Sequence, residues 1–374
     1  MLKIKIIAGA YFFLVLGLLP LHSASQAGQE TPKEEPAKES NIGVVVIPVI
    51  LYMPETKLGG GVGGLLTFRS ADSARTERPS SLYFYAIYTQ LKQFSTQWEP
   101  EFYFKKEKYL LRSKFIFEKY PDKFWGVGSD TPENAEENFT PRTFSLETSF
   151  QTRILAKQNL YAGIQYIIES YKMLKTDSGK SLSQRRWLGS TGATSSGLGF
   201  IINWDTRDNI FTPRRGNYWQ LSIAFNRKFL GSDFNYTSLK LDIREFFPVM
   251  ASHVLAFQAL FQSATGDVPF KSYAKLGGDS IMRGYYLGRY RDNYLMTVQG
   301  EYRLPIWWRF GLVGFAGLGN VADKLGSFDL GEFKYSCGFG IRFKVVPKEG
   351  TNLRLDFAWG KGTSGFYFTA RESF

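Results

Sequence analysis

The sequence contains very few of the residues on which most enzyme and metal sites depend. Its 374 residues include one cysteine, Cys337, and two histidines, His22 and His253. A single cysteine excludes an internal disulfide and a cysteine-based zinc cluster. Two histidines leave little material for metal ligation or acid–base chemistry. We therefore expect a protein that is not an enzyme and that holds neither a metal nor another cofactor.

Long apolar runs are also missing, except near the amino terminus. Residues 1–27 have the features of a secretory signal peptide: two lysines precede the apolar residues 6–21, and Ser-Gln-Ala precedes the expected cleavage point after Ala27. Residues 28–42 are polar and contain proline, which is typical of a flexible linker. No later run approaches the ~20 apolar residues that a spanning helix needs. The sequence therefore predicts an exported protein without a transmembrane helix, which is periplasmic, secreted or an outer-membrane barrel.

Aromatic residues, in contrast, are abundant and lie in alternating segments. Phe, Tyr and Trp make up 17% of the chain, and such residues favour strands. Apolar and polar residues alternate from residue 43 onward, for example over residues 217–228 and 237–245, with the period of a half-buried strand. A soluble sandwich would alternate too, but these segments exceed the ~5–6 residues of most soluble strands. They match the ~9–11 residues that cross a bilayer, which favours a transmembrane barrel.

Sixteen candidate strands follow, an even number as in bacterial barrels. They are residues 43–52, 58–69, 81–91, 94–106, 109–120, 142–156, 159–171, 195–207, 217–229, 233–246, 252–264, 292–304, 308–318, 333–345, 351–360 and 364–373. If the first strand starts in the periplasm, the long connections 121–141, 172–194 and 265–291 all lie outside the cell. The predicted fold is all-β: a 16-stranded antiparallel transmembrane β-barrel over residues 43–374, with periplasmic N- and C-termini.

Three segments in the second half of the chain form a pattern of their own. The first segment, residues 204–216, has the sequence WDTRDNIFTPRRG and joins the eighth and ninth candidate strands. The second, residues 277–285, has the sequence GGDSIMRGY and lies in a long loop. The third, residues 365–374, is the last candidate strand and ends in phenylalanine. In this order they resemble the BamA/TamA-type superfamily of outer-membrane assembly factors, also called bacterial surface antigen barrels. Residues 43–69 resemble it more loosely. The chain looks like a short member of that superfamily without periplasmic POTRA modules.

The resemblance assigns the loop segment a place inside the barrel. Arg283, Gly284 and Tyr285 would be the tip of the family's loop 6, which folds back into the lumen. Glu301 faces the lumen by alternation and is the expected partner of Arg283, because a guanidinium and a carboxylate can pair through two hydrogen bonds. The family usually has a lumenal aspartate on the next strand, where this chain has Gly317. In the family, two lumenal carboxylates would clamp the arginine that Arg283 matches. We therefore expect this chain to lack the second of them, so that one half of the clamp is missing.

The other two segments also receive roles from the resemblance. The residues that match the family's periplasmic turn are Trp204, Asp205, Arg207, Pro213 and Gly216. A well-formed turn with a local ion pair is the simpler interpretation of these five. The residues that match the signal by which barrels are recognised for assembly are Phe366, Phe368 and Phe374.

The resemblance implies an outer-membrane protein that aids insertion or translocation of proteins or lipids through a weak seam between its first and last strands. The implied partners are outer-membrane lipid and lipopolysaccharide, the barrel assembly machinery during biogenesis, and a separate periplasmic protein. The alternative is a passive pore or structural surface antigen without assembly activity. No nucleic-acid motif is present, and the formal net charge of +12 is no reason to expect nucleic-acid binding.

Overall fold

The computed structural model describes residues 42–53, 57–69, 78–155, 158–250, 252–346 and 350–374. The expected signal peptide, residues 1–27, lies outside the described residues, as does the expected linker except for Ile42. Among the described helices, none is long and apolar enough to cross a membrane.

The described residues form sixteen long strands, three strands of three residues and a few short 3₁₀ turns. The strands are β1 (Ile42–Met53), β2 (Lys57–Phe68), β3 (Ser80–Thr89), β4 (Phe94–Phe104), β5 (Tyr109–Lys119), β6 (Asp122–Phe124), β7 (Glu137–Leu155), β8 (Leu160–Thr176), β9 (Gly192–Asp205), β10 (Gly216–Asn226), β11 (Tyr236–Val249), β12 (His253–Gly266), β13 (Ala274–Leu276), β14 (Tyr290–Asp292), β15 (Tyr294–Trp307), β16 (Phe310–Ala322), β17 (Lys334–Val346), β18 (Thr351–Gly360) and β19 (Thr363–Ala370). Each long strand overlaps one predicted strand, and the all-β prediction is confirmed.

Most strand ends differ from the predicted boundaries by a few residues, and the differences in two regions bear on the candidate site. β7 begins at Glu137 instead of 142 and β8 ends at Thr176 instead of 171, because Phe139 is buried in an apolar cluster that extends this hairpin. β19 ends at Ala370, earlier than the predicted 373. The residues after Ala370 leave the strand and turn inward, as described below for Phe374.

Each long strand pairs antiparallel with the next long strand along the chain, from β1–β2 to β18–β19. With β6 they make one seventeen-stranded sheet, whereas β13 and β14 form a separate hairpin. Since neighbouring strands alternate in direction, the connections fall at two ends. One end carries the longest connections, residues 120–136, 177–191 and 267–293, and is called the loop end. The opposite end is called the turn end.

The two faces of the sheet have the reverse of the usual polarity. In β9, the exposed fractions of Leu198, Phe200 and Ile202 are 48%, 62% and 48%, whereas Asn203 and Asp205, which follow them on the opposite face, are fully buried. The buried, concave face is therefore polar and the outer face is apolar. This is the pattern of a sheet whose outer face contacts an apolar solvent.

The interior is filled near the loop end by residues 267–293, which we call the inserted loop. Leu276, Met282 and Tyr285 of this loop are buried against Leu260 and Leu295 of the sheet. A second cluster packs Phe270 of the same loop among aromatic side chains of the wall. The hydrophobic core thus lies inside the curved sheet and fixes the inserted loop there.

Candidate functional site

The tip of the inserted loop is held by a clamp of charged side chains. The Arg283 side chain is 1% exposed, and its Nη2 lies 2.5 Å from Glu301 Oε1. Its Nη1 lies 2.5 Å from Asp356 Oδ2, and the guanidinium stacks 3.5 Å from the centre of the Phe315 ring. A buried guanidinium with two carboxylates and an aromatic face is held in one position.

Asp356 is the partner that the sequence analysis did not identify. The expectation of a half-missing clamp rested on Gly317, but the second carboxylate comes from β18 rather than from the strand after Glu301. Alternation already puts Asp356 on the inner face, yet only the curvature of the sheet brings it to Arg283. Gly317 instead leaves room for the loop, since a Cβ there would lie 3.3 Å from Met282 Sδ.

Gly284 and Tyr285 attach the loop tip to the last three strands. The Gly284 amide donates to the Tyr367 hydroxyl at 2.9 Å, and its carbonyl accepts from Thr363 Oγ1 at 2.9 Å. Gly284 has φ +105°, and a Cβ there would lie 2.8 Å from the backbone of Trp359. The Tyr285 hydroxyl donates to the Tyr335 carbonyl at 2.9 Å, and burial raises the pKa of Tyr285 above its ordinary value. The tip therefore contacts β17, β18 and β19 together.

The segment predicted as a periplasmic turn forms a second charged cluster at the turn end. Asp205 is fully buried and binds Arg207 through two hydrogen bonds, at 2.9 Å to Nε and 2.8 Å to Nη2. Arg78, from the connection between β2 and β3, lies 3.1 Å from the same carboxylate. Burial alone would lower the pKa of Arg78, but the attraction of Asp205 outweighs it and raises this pKa.

The cluster is larger than the local ion pair that the simpler interpretation predicts. The Tyr218 ring faces three guanidinium groups, those of Arg207 at 4.6 Å, Arg244 at 5.0 Å and Arg112 at 5.6 Å. Gly216 has φ +97°, and a Cβ there would lie 2.4 Å from the Thr206 carbonyl oxygen. Long-range contacts between strands thus hold the turn.

Trp204 lies apart from this cluster. Its ring packs edge to face against Trp219, with ring centres 5.0 Å apart. Trp219 is exposed and donates from Nε1 to Glu245 Oε1 at 2.7 Å. Trp204 therefore belongs to an aromatic pair at the turn end of the sheet and not to the charged cluster.

Arg303 connects the clamp to the turn segment 204–216, and sequence reasoning gave it no role. Its Nε donates to Glu301 Oε2 at 2.9 Å, its Nη1 to the Pro213 carbonyl at 3.4 Å and its Nη2 to the Phe374 carbonyl at 3.0 Å. Alternation placed Arg303 on the inner face. Glu301 is two residues away on the same strand, but the carbonyls of Pro213 and Phe374 come from distant parts of the chain, which alternation cannot indicate.

The three phenylalanines of the last segment separate in the structure. Phe366 packs on Phe357 with ring centres 5.0 Å apart, and Phe368 shares its face of β19 by alternation. Phe374 lies inside the sheet, 4% exposed, against Phe246 and Ala256. Phe374 is therefore not part of the strand edge in this conformation.

The fold and site together define an antiparallel β protein with an apolar exterior and a loop clamped in its polar interior. The model of the Omp85 superfamily domain matches residues 84–374, and the chain belongs to the Omp85 superfamily. No curated protein matches the chain.

Two solved structures are similar in fold. One is BamA from Haemophilus ducreyi lacking POTRA domains 1-3, with a TM-score of 0.54 and 13% identity over 88% of this chain and 69% of that one. The other is CdiB from Acinetobacter baumannii, with a TM-score of 0.54 and 10% identity over 88% of this chain and 59% of that one. This chain therefore spans about three fifths of the length of CdiB. At these identities the likeness concerns the fold.

Proposed function

We propose that this protein is an outer-membrane barrel that aids insertion or translocation of proteins or lipids, without catalysing a covalent reaction. The observation that carries the proposal is the clamp of Arg283 between Glu301 and Asp356 in a chain of the Omp85 superfamily. The clamp fixes the loop tip against β17, β18 and β19. The inserted loop thereby sets the position of the last strands, whose edge would form one side of a lateral opening.

The lengths of the terminal strands support a weak seam. β1 has twelve residues and β19 has eight, so β19 could pair with at most eight residues of β1. Unpaired backbone groups at a strand edge are ready to accept another strand. β2, beside β1, contains glycines at 59–61 and 63–64, which ease local distortion. We infer that the sixteen long strands close as a barrel at this seam and open there.

The placement in the membrane follows from the two ends of the sheet. Outer-membrane barrels have long extracellular loops and short periplasmic turns. We therefore assign the loop end to the cell surface and the turn end, with residue 42 and Phe374, to the periplasm. Residues 1–27 would direct export as a signal peptide, residues 28–42 would form a linker, and residues 43–374 would be the barrel.

The proposed partners follow from this placement. The apolar outer face would contact outer-membrane lipid and lipopolysaccharide. Phe366 and Phe368 of the last strand, together with Phe374, would be recognised by the barrel assembly machinery before folding is complete. Arg207 and Pro213 lie in a turn at the turn end of the sheet, and Trp204, Asp205 and Gly216 lie in the strand ends that flank it. A separate periplasmic protein would bind at that end.

The experiment that tests insertion locks the proposed seam. One cysteine in β1 and one in β19 are introduced into a Cys337→Ser background, and the pair that oxidises is chosen by scanning. The oxidised protein in proteoliposomes should lose insertion of a reporter barrel and regain it on reduction. The matched control is Ile341→Cys with Leu355→Cys, which are directly paired between β17 and β18. Equal insertion by both oxidised proteins would refute the lateral mechanism.

A passive pore is the second candidate, because a cavity of about 200 Å³ lies in the interior under the inserted loop. Its lining includes Glu147, Gln165 and Lys240. Conductance in planar bilayers separates the two candidates. We expect small, flickering currents from the wild type and larger openings from Arg283→Gln. Large, steady channels in the wild type would favour the pore.

A further inference from the structure

The segment Arg371–Phe374, which we call the tail, occupies the interior beside the clamp. The Arg371 amide still donates to the Asn352 carbonyl at 2.8 Å, but the tail then leaves β19. Its last ring, Phe374, is buried against Phe246 with ring centres 6.5 Å apart. The tail therefore occupies a defined site on the inner face of the sheet.

Both carboxylates that bind Arg283 are also connected to the tail. Ser373 Oγ donates to Glu301 Oε1 at 2.7 Å, the same oxygen that accepts from Arg283 Nη2. On the other side, Asp356 is joined to the tail through Arg342. Arg342 Nη1 lies 2.6 Å from Asp356 Oδ1, and its Nε lies 2.7 Å from Glu372 Oε2.

The tail contributes charge as well as contacts. Glu372 also accepts from Asn352 Nδ2 at 2.7 Å. Burial alone would raise the pKa of Glu372, but Arg342 and Arg303 outweigh it and lower this pKa, so the side chain is charged at neutral pH. Without Glu372, the positive charge of Arg342 would compete with Arg283 for Asp356. The carboxylate of Glu372 offsets part of this positive charge, and Asp356 binds Arg342 through Oδ1 and Arg283 through Oδ2.

We propose that Glu372 and Ser373 are positioning residues for the inserted loop, so that the loop and the tail dock together and are released together. The tail holds Glu301 and Arg342 in place, and these two side chains set the geometry of the clamp on Arg283. Displacement of the tail, for example by another strand that pairs with the edge of β19, would remove these contacts and weaken the clamp on Arg283. The loop end would thereby respond to an event at the turn end.

Buried cysteines report the two docking events in the purified, folded barrel. In a Cys337→Ser background, Met282→Cys places a thiol at the fully buried loop tip, so maleimide reacts only when the loop opens. Glu372→Gln with Ser373→Ala should raise this reaction rate about tenfold or more, because each removes a hydrogen bond involving a charged group. Arg371→Gln is the matched control, since Arg371 pairs with Glu99 and not with the clamp. It should leave the rate unchanged.

The reciprocal measurement separates coupling from a merely structural contact. Phe374→Cys reports on the tail, because Phe374 is buried and this substitution leaves the Ser373 hydroxyl and the Glu372 carboxylate in place. Arg283→Gln should raise the maleimide reaction of this thiol by a factor similar to the effect of Glu372→Gln on Met282→Cys, because coupling between two sites is reciprocal. Folding is checked by heat-modifiable gel mobility, and Ser373→Ala alone serves if the double variant fails to fold. An unchanged loop rate in folded Ser373→Ala and Glu372→Gln would overturn the proposal. Both maleimide reaction rates are measured without any insertion activity. Their outcome therefore tests the coupling of loop and tail independently of the proposed function.

Discussion

Arg283 and Asp356 are 73 positions apart in the chain, yet their side chains meet at 2.5 Å in the interior of the sheet. This contact joins the tip of the inserted loop to β18, and Glu301 completes it from β15. The loop tip is therefore fixed by two strands that are not neighbours. Four predictions follow from this arrangement and from the surrounding backbone.

Arg283→Gln should release the inserted loop. The substitution leaves Glu301 and Asp356 buried with one partner fewer each, and breaking a buried pair in this way costs ~3–5 kcal/mol. Hydrogen exchange of the amides of residues 277–285 should accelerate by about two orders of magnitude or more. Arg289→Gln is the control, because Arg289 lies in the same loop but donates to Thr131. Equal protection in both variants would show that the clamp does not hold the loop.

Gly317→Asp should destabilise the loop rather than strengthen the clamp. A Cβ at this position would lie 2.9 Å from Gln299 Cβ and 3.3 Å from Met282 Sδ, and Asp356 already occupies Arg283 Nη1. Overpacking of this kind costs ~1–3 kcal/mol. Urea unfolding from lipid vesicles measures the loss. Gly314→Ala, which has open space around it, should be nearly neutral, and a more stable Gly317→Asp protein would contradict the prediction.

Gly216→Ala should be far more damaging than Gly231→Ala. Both glycines have positive φ, +97° and +90°, so both substitutions strain the backbone. Only at Gly216 would the new Cβ meet the Thr206 carbonyl oxygen, at 2.4 Å, whereas nothing lies within 4 Å at Gly231. We expect ~1–2 kcal/mol for Gly231→Ala and at least ~2 kcal/mol more for Gly216→Ala. The measurement is the loss in the free energy of unfolding of each variant relative to the wild type. Equal losses for the two variants would show that the close contact at Gly216 has no steric importance.

Lys275→Met should stabilise the protein at pH 7, by an amount that shrinks above pH 8. Burial, with the nearby charges of Arg291 and Lys271, lowers the pKa of Lys275 to about 8. The unfolded chain binds the proton more tightly, so the native state is penalised below pH 8, and the penalty fades as the pH rises from the folded pKa towards the ordinary lysine pKa of ~10.4. Melting temperatures at pH 7 and pH 10 provide the test. Lys324→Met, at an exposed lysine, should have little effect at either pH.

The strands of this chain could be predicted from its sequence, but the surroundings of Lys275 could not. Alternation located all sixteen long strands, because apolar and polar residues must face opposite sides of a sheet whatever its shape. The short hairpin that sets Lys275 directly opposite Arg291 was not predicted, since three residues are too few to show a period. Burial of these like charges depends on how the inserted loop folds into the interior.

In the candidate site, too, some residues could be predicted from the sequence and their contacts could not. The resemblance singled out Arg283, and alternation put Glu301 on the inner face, since both depend on local sequence. Asp356 and Arg303 have inner-face positions by the same rule, but Asp356 meets Arg283, and Arg303 meets the carbonyls of Pro213 and Phe374, over long distances in the chain. A period of two says which side a residue faces and nothing about which distant residue it meets.

The sequence by itself determined the strands, the polar interior, the apolar exterior and the superfamily, because each depends on residue type and short-range spacing. The tertiary structure alone decided that Asp356 supplies the second carboxylate, that Gly317 makes room for Met282, and that the tail turns inward to meet Glu301. These relationships join residues far apart in the chain. They exist because a curved sheet brings the inner faces of distant strands within hydrogen-bonding distance.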